Sequence, residues 1–338
     1  MAESLLPAIN SLSELRIEEI YLPSKSNLNI NIGNNKSISC ILYNRILPNS
    51  LSRLFECTIF ARKFNGESPL LVLGDLPLRC KTSQIVFVQT ANILISEIGE
   101  KRVNKIKYFI ACTIFKINIP RVKAFIVQTE VMRRSLELSY PSLAGRVHVI
   151  SQPVPSWLLE SKIRRSARMS SDRKELRLFY PAAYYPHKNH QLISRIDKQQ
   201  NWPIEQLVLT LDEKANPGRH LSWVKCRGLL SPQEIINEYS QVDALLFLSK
   251  KESYGFPLLE AMFVGLPIVC PDRPYARILC GDQAIYFDPD EPDSLLIALL
   301  NLKKKLADGW WPDWSEQLMP IPKDWKEVAR KMMNIVLN

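Results

Sequence analysis

The chain has 338 residues, of which 46% are hydrophobic and 23% are charged, and its formal net charge is +10. No run of about 18 apolar residues is free of charge, so the sequence does not predict a membrane-spanning helix. The seven cysteines follow no metal-ligand spacing, which argues against both zinc and disulfides. The positive charge indicates an acidic partner, which could be a nucleotide diphosphate, an anionic membrane surface or nucleic acid.

The beginning of the chain predicts a polar helix without glycine over Met1–Leu15. This stretch lacks a basic start, a following apolar segment and a small-residue cleavage site, so we do not expect a secretory signal. The sequence therefore predicts a cytoplasmic location.

In the rest of the first half, apolar segments of strand length alternate with helical stretches, as in parallel sheets covered by helices. The predicted strands are Ser37–Tyr43, Leu70–Leu73, Ile85–Val88, Ala124–Val127 and Val147–Ile150. The predicted helices are Leu51–Arg62, Ser96–Lys116 and Glu130–Leu138. The next segment, Gln152–Asp172, has prolines and then a polar basic run, so we predict a linker there.

The second half repeats the alternation more regularly and predicts a doubly wound α/β domain. The predicted strands are Leu176–Tyr180, Leu207–Leu211, Val224–Arg227, Ala244–Leu248, Ile268–Cys270 and Ala284–Phe287. The predicted helices are Asn189–Gln199, Pro232–Tyr239, Pro257–Val264 and Pro292–Leu306. A last amphipathic helix, Trp325–Val336, follows this domain and is expected to pack elsewhere. The predicted divisions are residues 1–173, 174–318 and 319–338, with the main boundary near Lys174.

The most informative loop lies in the stretch LSKKESYGFPLLEAMFVGLPIVCP, residues 248–271. A strand ends at Leu248, a polar loop follows, and Pro257 opens a helix that Gly265 and Pro267 close. In open α/β sheets, ligands bind at the carboxyl ends of strands, and N–H groups at a helix start receive phosphate or sugar oxygens. We therefore expect a ligand site at this loop.

Two carboxylates, Glu252 in the loop and Glu260 in the predicted first turn of the helix, flank the same small volume. A carboxylate pair beside such a helix start is suited to holding the hydroxyls of a ribose and a hexose. The alternative is that Glu252 is a solvated loop residue and that Glu260 complements the helix dipole.

The letters ESYGFPLLEAM resemble the signature of the retaining glycosyltransferases of family 4, also called glycosyl transferases group 1. That signature has two Glu residues separated by seven others, a glycine turn and a Leu-Glu-Ala-Met helix start. The resemblance implies the α/β fold called GT-B, with two Rossmann-like, doubly wound domains facing across a cleft and a C-terminal helix that crosses back to the first domain. It also implies transfer of a hexose from a nucleotide diphosphate sugar to a glycan or lipid-linked acceptor with retention of configuration.

Carried over by position, the resemblance assigns Glu260 to the ribose hydroxyls and Glu252 to the donor sugar. A second stretch, YPAAYYPHKNHQLI, is similar to the family segment in which an Arg and a Lys neutralise the donor diphosphate. Lys188 fills the lysine position. The alternative is that it is a solvated lysine at a helix cap. We expect Lys188 and Glu252 to be the catalytic residues. No residue fills the arginine position. The other donor-binding residues implied are Tyr254, Gly255, Phe256, Pro257, Leu258, Gly228 and Leu229.

We expect neither a catalytic metal nor a cofactor, and the donor substrate is expected to be a UDP- or GDP-sugar. Lys188 and the N–H groups at the helix start would stabilise the departing diphosphate. The triplet Asp288–Asp290 imitates a metal-binding motif, but it follows a strand and precedes a helix, so we predict a turn and a helix cap there. His187 and His190 lack a third metal ligand nearby.

Several features depart from the family pattern. Gln89 and Thr90 stand where relatives often have a His, and Met1–Leu15 does not provide the usual opening strand and glycine-rich loop. The chain could be truncated, its start could be misassigned, or this side of the site could have decayed. The alternative function is a non-catalytic GT-B subunit that binds the donor or a partner. A nucleic-acid partner is not expected, because no recognition motif accompanies the charge.

A basic segment in the first half predicts attachment to an anionic membrane surface. The apolar run Tyr108–Phe115 is too short to span a bilayer but long enough to lie in its interface. The alternative is a buried helix with a basic rim. The basic residues that punctuate this segment are Arg102, Lys105, Lys107, Lys116, Arg121 and Lys123.

Overall fold

The structure is a computed structural model that describes residues 2–12, 17–24, 39–44, 49–94, 105–167 and 175–337. The chain divides into two compact units, of which the first comprises Met1–Pro153 with Pro322–Asn338 and the second comprises Val154–Ile321. The division falls earlier than the boundary predicted near Lys174, because Val154 and Leu158 are buried in the core of the second unit. Residues 168–174, where the predicted linker ends, lie outside the described residues.

The first unit is built on a four-stranded parallel sheet with the order β3-β4-β5-β6. A separate parallel pair is formed by β1 and β2, and β1 is a strand that the sequence did not predict. The strands are β1 (Glu19–Pro23), β2 (Ser39–Tyr43), β3 (Leu70–Val72), β4 (Gln84–Phe87), β5 (Val122–Val127) and β6 (Val147–Val149). The helices are α1 (Ala2–Asn10), α2 (Asn49–Glu56), α3 (Lys105–Asn118), α4 (Glu130–Ser139) and, at the end of the chain, α12 (Trp325–Leu337).

Both faces of the four-stranded sheet are buried. Successive side chains of a strand point to opposite faces, and the successive residues of β4 belong to two different core clusters. Ile85 and Phe87 of β4 belong to one core cluster together with Met332 of α12. Val86 and Val88 belong to another cluster, which also contains Phe115 of α3. The predicted return of the last helix to the first unit is therefore confirmed.

The second unit contains a six-stranded sheet with the order β12-β11-β10-β7-β8-β9, in which every pair is parallel. Its strands are β7 (Leu176–Tyr180), β8 (Ile204–Leu209), β9 (Val224–Cys226), β10 (Ala244–Leu246), β11 (Ile268–Pro271) and β12 (Ile285–Phe287). Its helices are α5 (Ser156–Ser161), α6 (Gln191–Ser194), α7 (Pro232–Gln241), α8 (Phe256–Val264), α9 (Pro274–Cys280), α10 (Pro292–Ala307) and α11 (Ser315–Leu318). The predicted doubly wound α/β domain is confirmed.

Strand order reverses between β7 and β10. The chain places β8 and β9 on one side of β7, and then returns to place β10, β11 and β12 on the other side. At such a reversal the loops that follow the two neighbouring strands diverge and leave a crevice, which is the usual ligand site of doubly wound sheets.

Three predicted helices differ from the structure. In place of one helix over Leu51–Arg62, α2 ends at Glu56 and a 3-10 helix spans Phe60–Phe64. In place of one helix over Asn189–Gln199 there is a 3-10 turn at Pro186–Lys188 and then the short helix α6, because Asn189 adopts the left-handed conformation with φ 55°. Helix α3 ends at Asn118 rather than Lys116, and residues 95–104, where it was predicted to begin, lie outside the described ranges. Within the described ranges, no helix is both long and apolar enough to cross a bilayer.

Candidate functional site

The loops that follow β7 and β10 are joined by hydrogen bonds at the point where the strand order reverses. The N–H of Lys250 donates to the carbonyl of His187 at 2.8 Å, and the hydroxyl of Ser249 donates to the same carbonyl at 3.2 Å. The phenol of Tyr180, at the end of β7, donates to the carbonyl of Lys188 at 2.7 Å. These bonds fix the backbone that carries Lys188 relative to the loop that carries Glu252.

Lys188 and Glu252 form an ion pair across these two loops. The Lys188 Nζ and the Glu252 Oε1 are 2.5 Å apart, and only 16% and 11% of the two side chains are exposed. Neither side chain is therefore the solvated surface residue of the alternative interpretation. The pair brings together a cation and a carboxylate at the carboxyl ends of adjacent strands, where ligands of doubly wound sheets bind.

Glu260 is buried and is held by a residue that no motif indicated. The phenol of Tyr239, on α7, donates to Oε2 of Glu260 at 2.8 Å, and both side chains lie in the interior. Burial raises the pKa of Glu260 to about 7, although the hydrogen bond from Tyr239 acts in the opposite direction. Sequence reasoning missed Tyr239, because a tyrosine on the buried side of a helix is more often part of the core.

The position of Glu260 in its helix corrects one expectation. Helix α8 begins at Phe256, so Glu260 lies beyond the first turn, and α8 has no acidic residue in that turn. The favourable interaction of a carboxylate with a helix dipole falls off after the first turn. The dipole alternative for Glu260 therefore does not fit this helix.

The start of α8 presents backbone N–H groups without a capping side chain among the described residues. Gly255 has φ 90°, a left-handed conformation that suits glycine, and it directs the chain from the loop into the helix. The rings of Tyr254 and Phe256 pack edge to face with centroids 5.0 Å apart, which holds the turn. Pro257 has no N–H, and the N–H groups of Leu258 and Leu259 donate to the carbonyl of Gly255 at 3.0 and 3.3 Å, so the N–H of Phe256 and the positive end of the helix dipole are what this turn offers to an anion.

Leu258 does not belong to the surface of this turn, although the resemblance included it among donor-binding residues. Its side chain is fully buried in the core of the second unit, and its N–H donates to the carbonyl of Gly255 at 3.0 Å. Pro257 has no N–H, so it can contribute only ring contacts and its carbonyl.

Gly228 and Leu229 lie after β9, which is two strands away from β7 in the sheet. Gly228 has φ 72°, and its N–H donates to the carbonyl of Leu211 at 2.8 Å, so its backbone is fixed. The side chain of Leu229 is 97% exposed. Strands lie about 4.8 Å apart, so these residues are about 10 Å from the end of β7.

The triplet Asp288–Asp290 forms the predicted turn, since the N–H of Asp290 donates to Oδ1 of Asp288 at 2.9 Å. The predicted helix cap is wrong, because Glu291 is the residue that precedes α10 and it makes no capping hydrogen bond. The Asp290 carboxylate pairs with the side chains of Lys250 and Arg273. Among the described residues, no group of three His, Cys, Asp or Glu side chains could hold a metal ion.

His190 is buried beside the site rather than exposed with His187. Its ring contacts those of Tyr180 and Tyr184, with centroid distances of 5.0 and 5.6 Å. Burial, together with the nearby Lys188 ammonium, lowers the pKa of His190 to about 4, so the ring is neutral near pH 7.

Solved structures define the class of the fold. The chain aligns with WaaG, described as a glycosyltransferase involved in lipopolysaccharide biosynthesis, with a TM-score of 0.60 and 13% identity, over 89% of this chain and 87% of that one. The neighbours of the structure are GT-B proteins, so the predicted GT-B fold is confirmed.

Sequence comparisons add the family. The family described as glycosyl transferases group 1 has a model that matches residues 198–305, which confirms the resemblance found in the sequence. The serotype-specific mannosyltransferase WbdA of Escherichia coli is 28% identical over 151 residues, which are 43% of this chain but only 17% of WbdA. The O-antigen chain mannosyltransferase RfbU of Salmonella typhimurium is 22% identical over 208 residues, covering 56% of this chain and 54% of RfbU. The chain thus spans a minor part of the first relative and about half of the second.

Proposed function

We propose that this protein is a retaining glycosyltransferase that binds a nucleotide diphosphate sugar on its second unit and transfers the hexose to a glycan or lipid-linked acceptor. The observation that carries the proposal is the Lys188–Glu252 ion pair, which lies where the strand order reverses. A core ion pair with a purely structural role would not need this position. The family match over residues 198–305 supports the same function.

Each group of the site has a task in this proposal. Lys188 and the start of α8 bind the diphosphate and stabilise the negative charge that develops as it leaves. Glu252 accepts hydrogen bonds from hydroxyls of the donor sugar. Glu260 uses one oxygen for the Tyr239 phenol and has the other for the ribose hydroxyls. Gly228 and Leu229 lie at the nucleobase end.

We further propose that the reaction needs no metal ion. The positive charge near the diphosphate comes from Lys188 and from the dipole of α8. In the Asp288–Asp290 triplet, which imitates a metal-binding motif, the Asp290 carboxylate already pairs with Lys250 and Arg273. Activity should therefore persist in excess EDTA.

The donor sugar is proposed to be mannose, carried by GDP or UDP. The support is that the two relatives described above are both named mannosyltransferases. Since those relatives match only over part of their length, the sugar is the first variable to test.

Nucleotide release separates an enzyme from the non-catalytic alternative. Purified protein is incubated with GDP-mannose, UDP-glucose and UDP-N-acetylglucosamine, with and without a mannoside acceptor, and the freed nucleotide is measured. We expect release with one donor, acceleration by an acceptor, and an α-linked product by NMR. Donor binding without release or transfer, under conditions that include membrane lipids, would favour the non-catalytic subunit.

We also propose that the protein works at the cytoplasmic face of a membrane, to which the first unit attaches through α3. This helix buries Cys112 and Phe115, while 62% of Phe109 and 54% of Ile117 are exposed. The exposed basic residues Lys116, Arg121 and Lys123 accompany them. Exposed apolar residues beside basic ones suit the interface of an anionic bilayer. Arg102 and the side chains of Lys105 and Lys107 lie outside the described part of the chain.

Liposome co-sedimentation tests this attachment. We expect binding to vesicles that contain anionic lipid, weakening as salt is added, and loss of binding in a Phe109→Ser and Lys116→Glu double variant. An Ile297→Ser variant, which alters an equally exposed apolar residue of the second unit, should bind like the wild type. Binding that is equal for zwitterionic and anionic vesicles would contradict the proposal.

A further inference from the structure

An exposed aromatic loop, residues 183–187, leads from the end of β7 to Lys188. Tyr184 and Tyr185 are each 58% exposed, and Pro186 and His187 are exposed as well. Neighbouring aromatic residues on a solvent-exposed surface often mark a binding site, because aromatic rings without a binding role are usually buried in the core. Nothing in the family signature assigns a role to these rings.

Backbone hydrogen bonds within the aromatic loop and from the neighbouring loop stabilise its conformation. The N–H of Tyr185 donates to the carbonyl of Ala183, and the N–H of Lys188 donates to the carbonyl of Tyr185, both at 2.9 Å. The carbonyl of His187 accepts from the N–H of Lys250 on the neighbouring loop. A ligand that binds here would not have to order the loop, which lowers the entropic cost of binding.

Each tyrosine ring is also supported by a histidine. Tyr185 stacks on His187 with centroids 5.7 Å apart and an interplanar angle of 10°, and Tyr184 stacks on His190 at 5.6 Å and 28°. His190 in turn contacts the fully buried Tyr180. A series of rings thus leads from the core to the surface and ends at Tyr184.

The location of the aromatic loop indicates which part of a substrate it would meet. It ends at Lys188, whose ammonium pairs with Glu252, whereas the proposed nucleobase end at Gly228 lies two strands away. Lys188 is assigned to the diphosphate and Glu252, which pairs with it, to the donor sugar, so a sugar ring is expected within a short distance of this pair. Pyranose rings have faces of polarised C–H groups, which pack on the negative face of an aromatic ring without needing a charge.

We propose that Tyr184 and Tyr185 form a stacking platform for a pyranose ring of the substrates. The inference rests on the proposed glycosyltransferase function and extends it to residues outside the family motif. The ring can belong to the donor or to the acceptor glycan. In either case the aromatic face, rather than the phenol hydroxyl, makes the contact.

The test uses the full chain and the variants Tyr184→Ala, Tyr184→Phe and Tyr185→Ala, with Ile297→Ala as a control that removes an equally exposed apolar side chain on α10. Saturation-transfer NMR with mannobiose reports direct contact with an acceptor-type sugar. Calorimetry compares GDP-mannose with GDP, and UDP-glucose with UDP, and so isolates the contribution of the donor sugar. Circular dichroism checks that each variant is folded.

If the platform holds the acceptor, Tyr184→Ala should lose most of the mannobiose signal and raise the acceptor KM about five- to tenfold, while donor affinity is unchanged. If it holds the donor, the affinity for the nucleotide sugar should fall by that factor, while the affinity for the nucleoside diphosphate is unchanged. Tyr184→Phe and Ile297→Ala should behave like the wild type in both cases.

Unchanged mannobiose contact and unchanged sugar-dependent affinity in both alanine variants would overturn the platform, even if the enzyme is active. A variant that loses thermal stability but keeps sugar binding would also overturn it, since the rings would then serve packing. If the wild type binds mannobiose through Tyr184 but releases no nucleotide from any donor, the proposed transfer fails while the platform stands.

Discussion

The two parallel sheets of this protein use the carboxyl ends of their strands differently. In the second unit, the two carboxylates of the candidate site are paired with side chains: Glu252, in the loop after β10, with Lys188, and Glu260, in the helix that follows, with the Tyr239 phenol. In the first unit, the carboxylate of Asp75, which follows β3, accepts hydrogen bonds from the backbone N–H groups of Gln89 at 2.6 Å and of Thr90 at 3.2 Å.

We interpret the carboxylates of the second unit as parts of a ligand site, and that of Asp75 as a structural link between two loops. Asp75 joins the loops after β3 and β4 and has φ 63°, so its carboxylate holds a strained turn in place. Burial raises the pKa of Asp75, although these N–H groups and Arg53 act in the opposite direction. A carboxylate paired with another side chain can exchange that partner for a ligand more readily than one that holds the backbone. The following predictions test this contrast.

The largest effect is expected from Lys188→Ala, because it removes the cation proposed to stabilise the leaving diphosphate. We expect kcat/KM to fall about a hundredfold or more. The affinity for the nucleoside diphosphate should fall far more than that for the nucleoside, which isothermal titration calorimetry measures. Equal losses for the two ligands would remove Lys188 from the diphosphate site.

Glu260→Ala should weaken donor binding by roughly one to two decades, the usual cost of losing a hydrogen bond to a charged group. The fold should be retained, because the buried carboxylate is not needed to hold the backbone. Glu260→Gln, which keeps the shape, serves as the matched control for packing and should retain the hydrogen bond to Tyr239. Wild-type donor affinity in the alanine variant would place the ribose elsewhere.

Stability should fall with rising pH because of Glu260. Its pKa is raised from 4.5 to about 7 in the folded protein, so between these values the unfolded chain binds fewer protons than the folded one. The stabilising contribution is therefore full below about pH 4.5 and is lost as the pH rises through about 7. We expect urea unfolding of the wild type to lose about 2–3 kcal/mol relative to Glu260→Gln between pH 5 and pH 8. Parallel profiles for the two proteins would contradict this.

The variant Tyr239→Phe tests how the hydrogen bond from Tyr239 affects the pKa of Glu260. Because the phenol hydrogen bond lowers the pKa of Glu260, its removal should move the pH of half-maximal donor binding upward, with kcat little changed at high pH. A pH profile of donor affinity measures the shift. An unchanged profile would show that Tyr239 only packs.

The smallest effect is expected from Asp75→Asn. The amide oxygen can still accept from Gln89 and Thr90, so the free energy of unfolding should change by about 1 kcal/mol and donor affinity should not change. Thermal unfolding and calorimetry give the two numbers. A loss of donor affinity as large as that of Glu260→Ala would contradict the purely structural role of Asp75.

The sequence was most informative where local signals agree. The loop before α8 has a preceding apolar strand, a left-handed glycine, a proline in the first turn and a closing glycine, so the place of Glu252 could be predicted. The sequence was less informative where the formation of a strand or helix depends on tertiary packing. Strand β1 is short and pairs with β2 alone among the described residues, and α9 begins at Pro274 after Arg273, whose side chain makes no capping hydrogen bond, so neither element was predicted.

The pairing of Tyr239 with Glu260 could not be predicted for a related reason. The two residues are on different helices, and only the packing of α7 beside α8 brings them together. Likewise, the left-handed conformation of Asn189, which ends the 3-10 turn before α6, carried no sequence signal and replaced the start of a predicted helix.

The most direct test of the central proposal is calorimetric titration of the wild type with GDP-mannose, UDP-glucose and their nucleoside diphosphates. We predict saturable binding of at least one nucleotide sugar, weakened by roughly one to two decades in Glu260→Ala and unchanged in Asp75→Asn. Failure of every nucleotide sugar and nucleoside diphosphate to bind the folded wild-type protein would contradict a donor site at the Lys188–Glu252 pair.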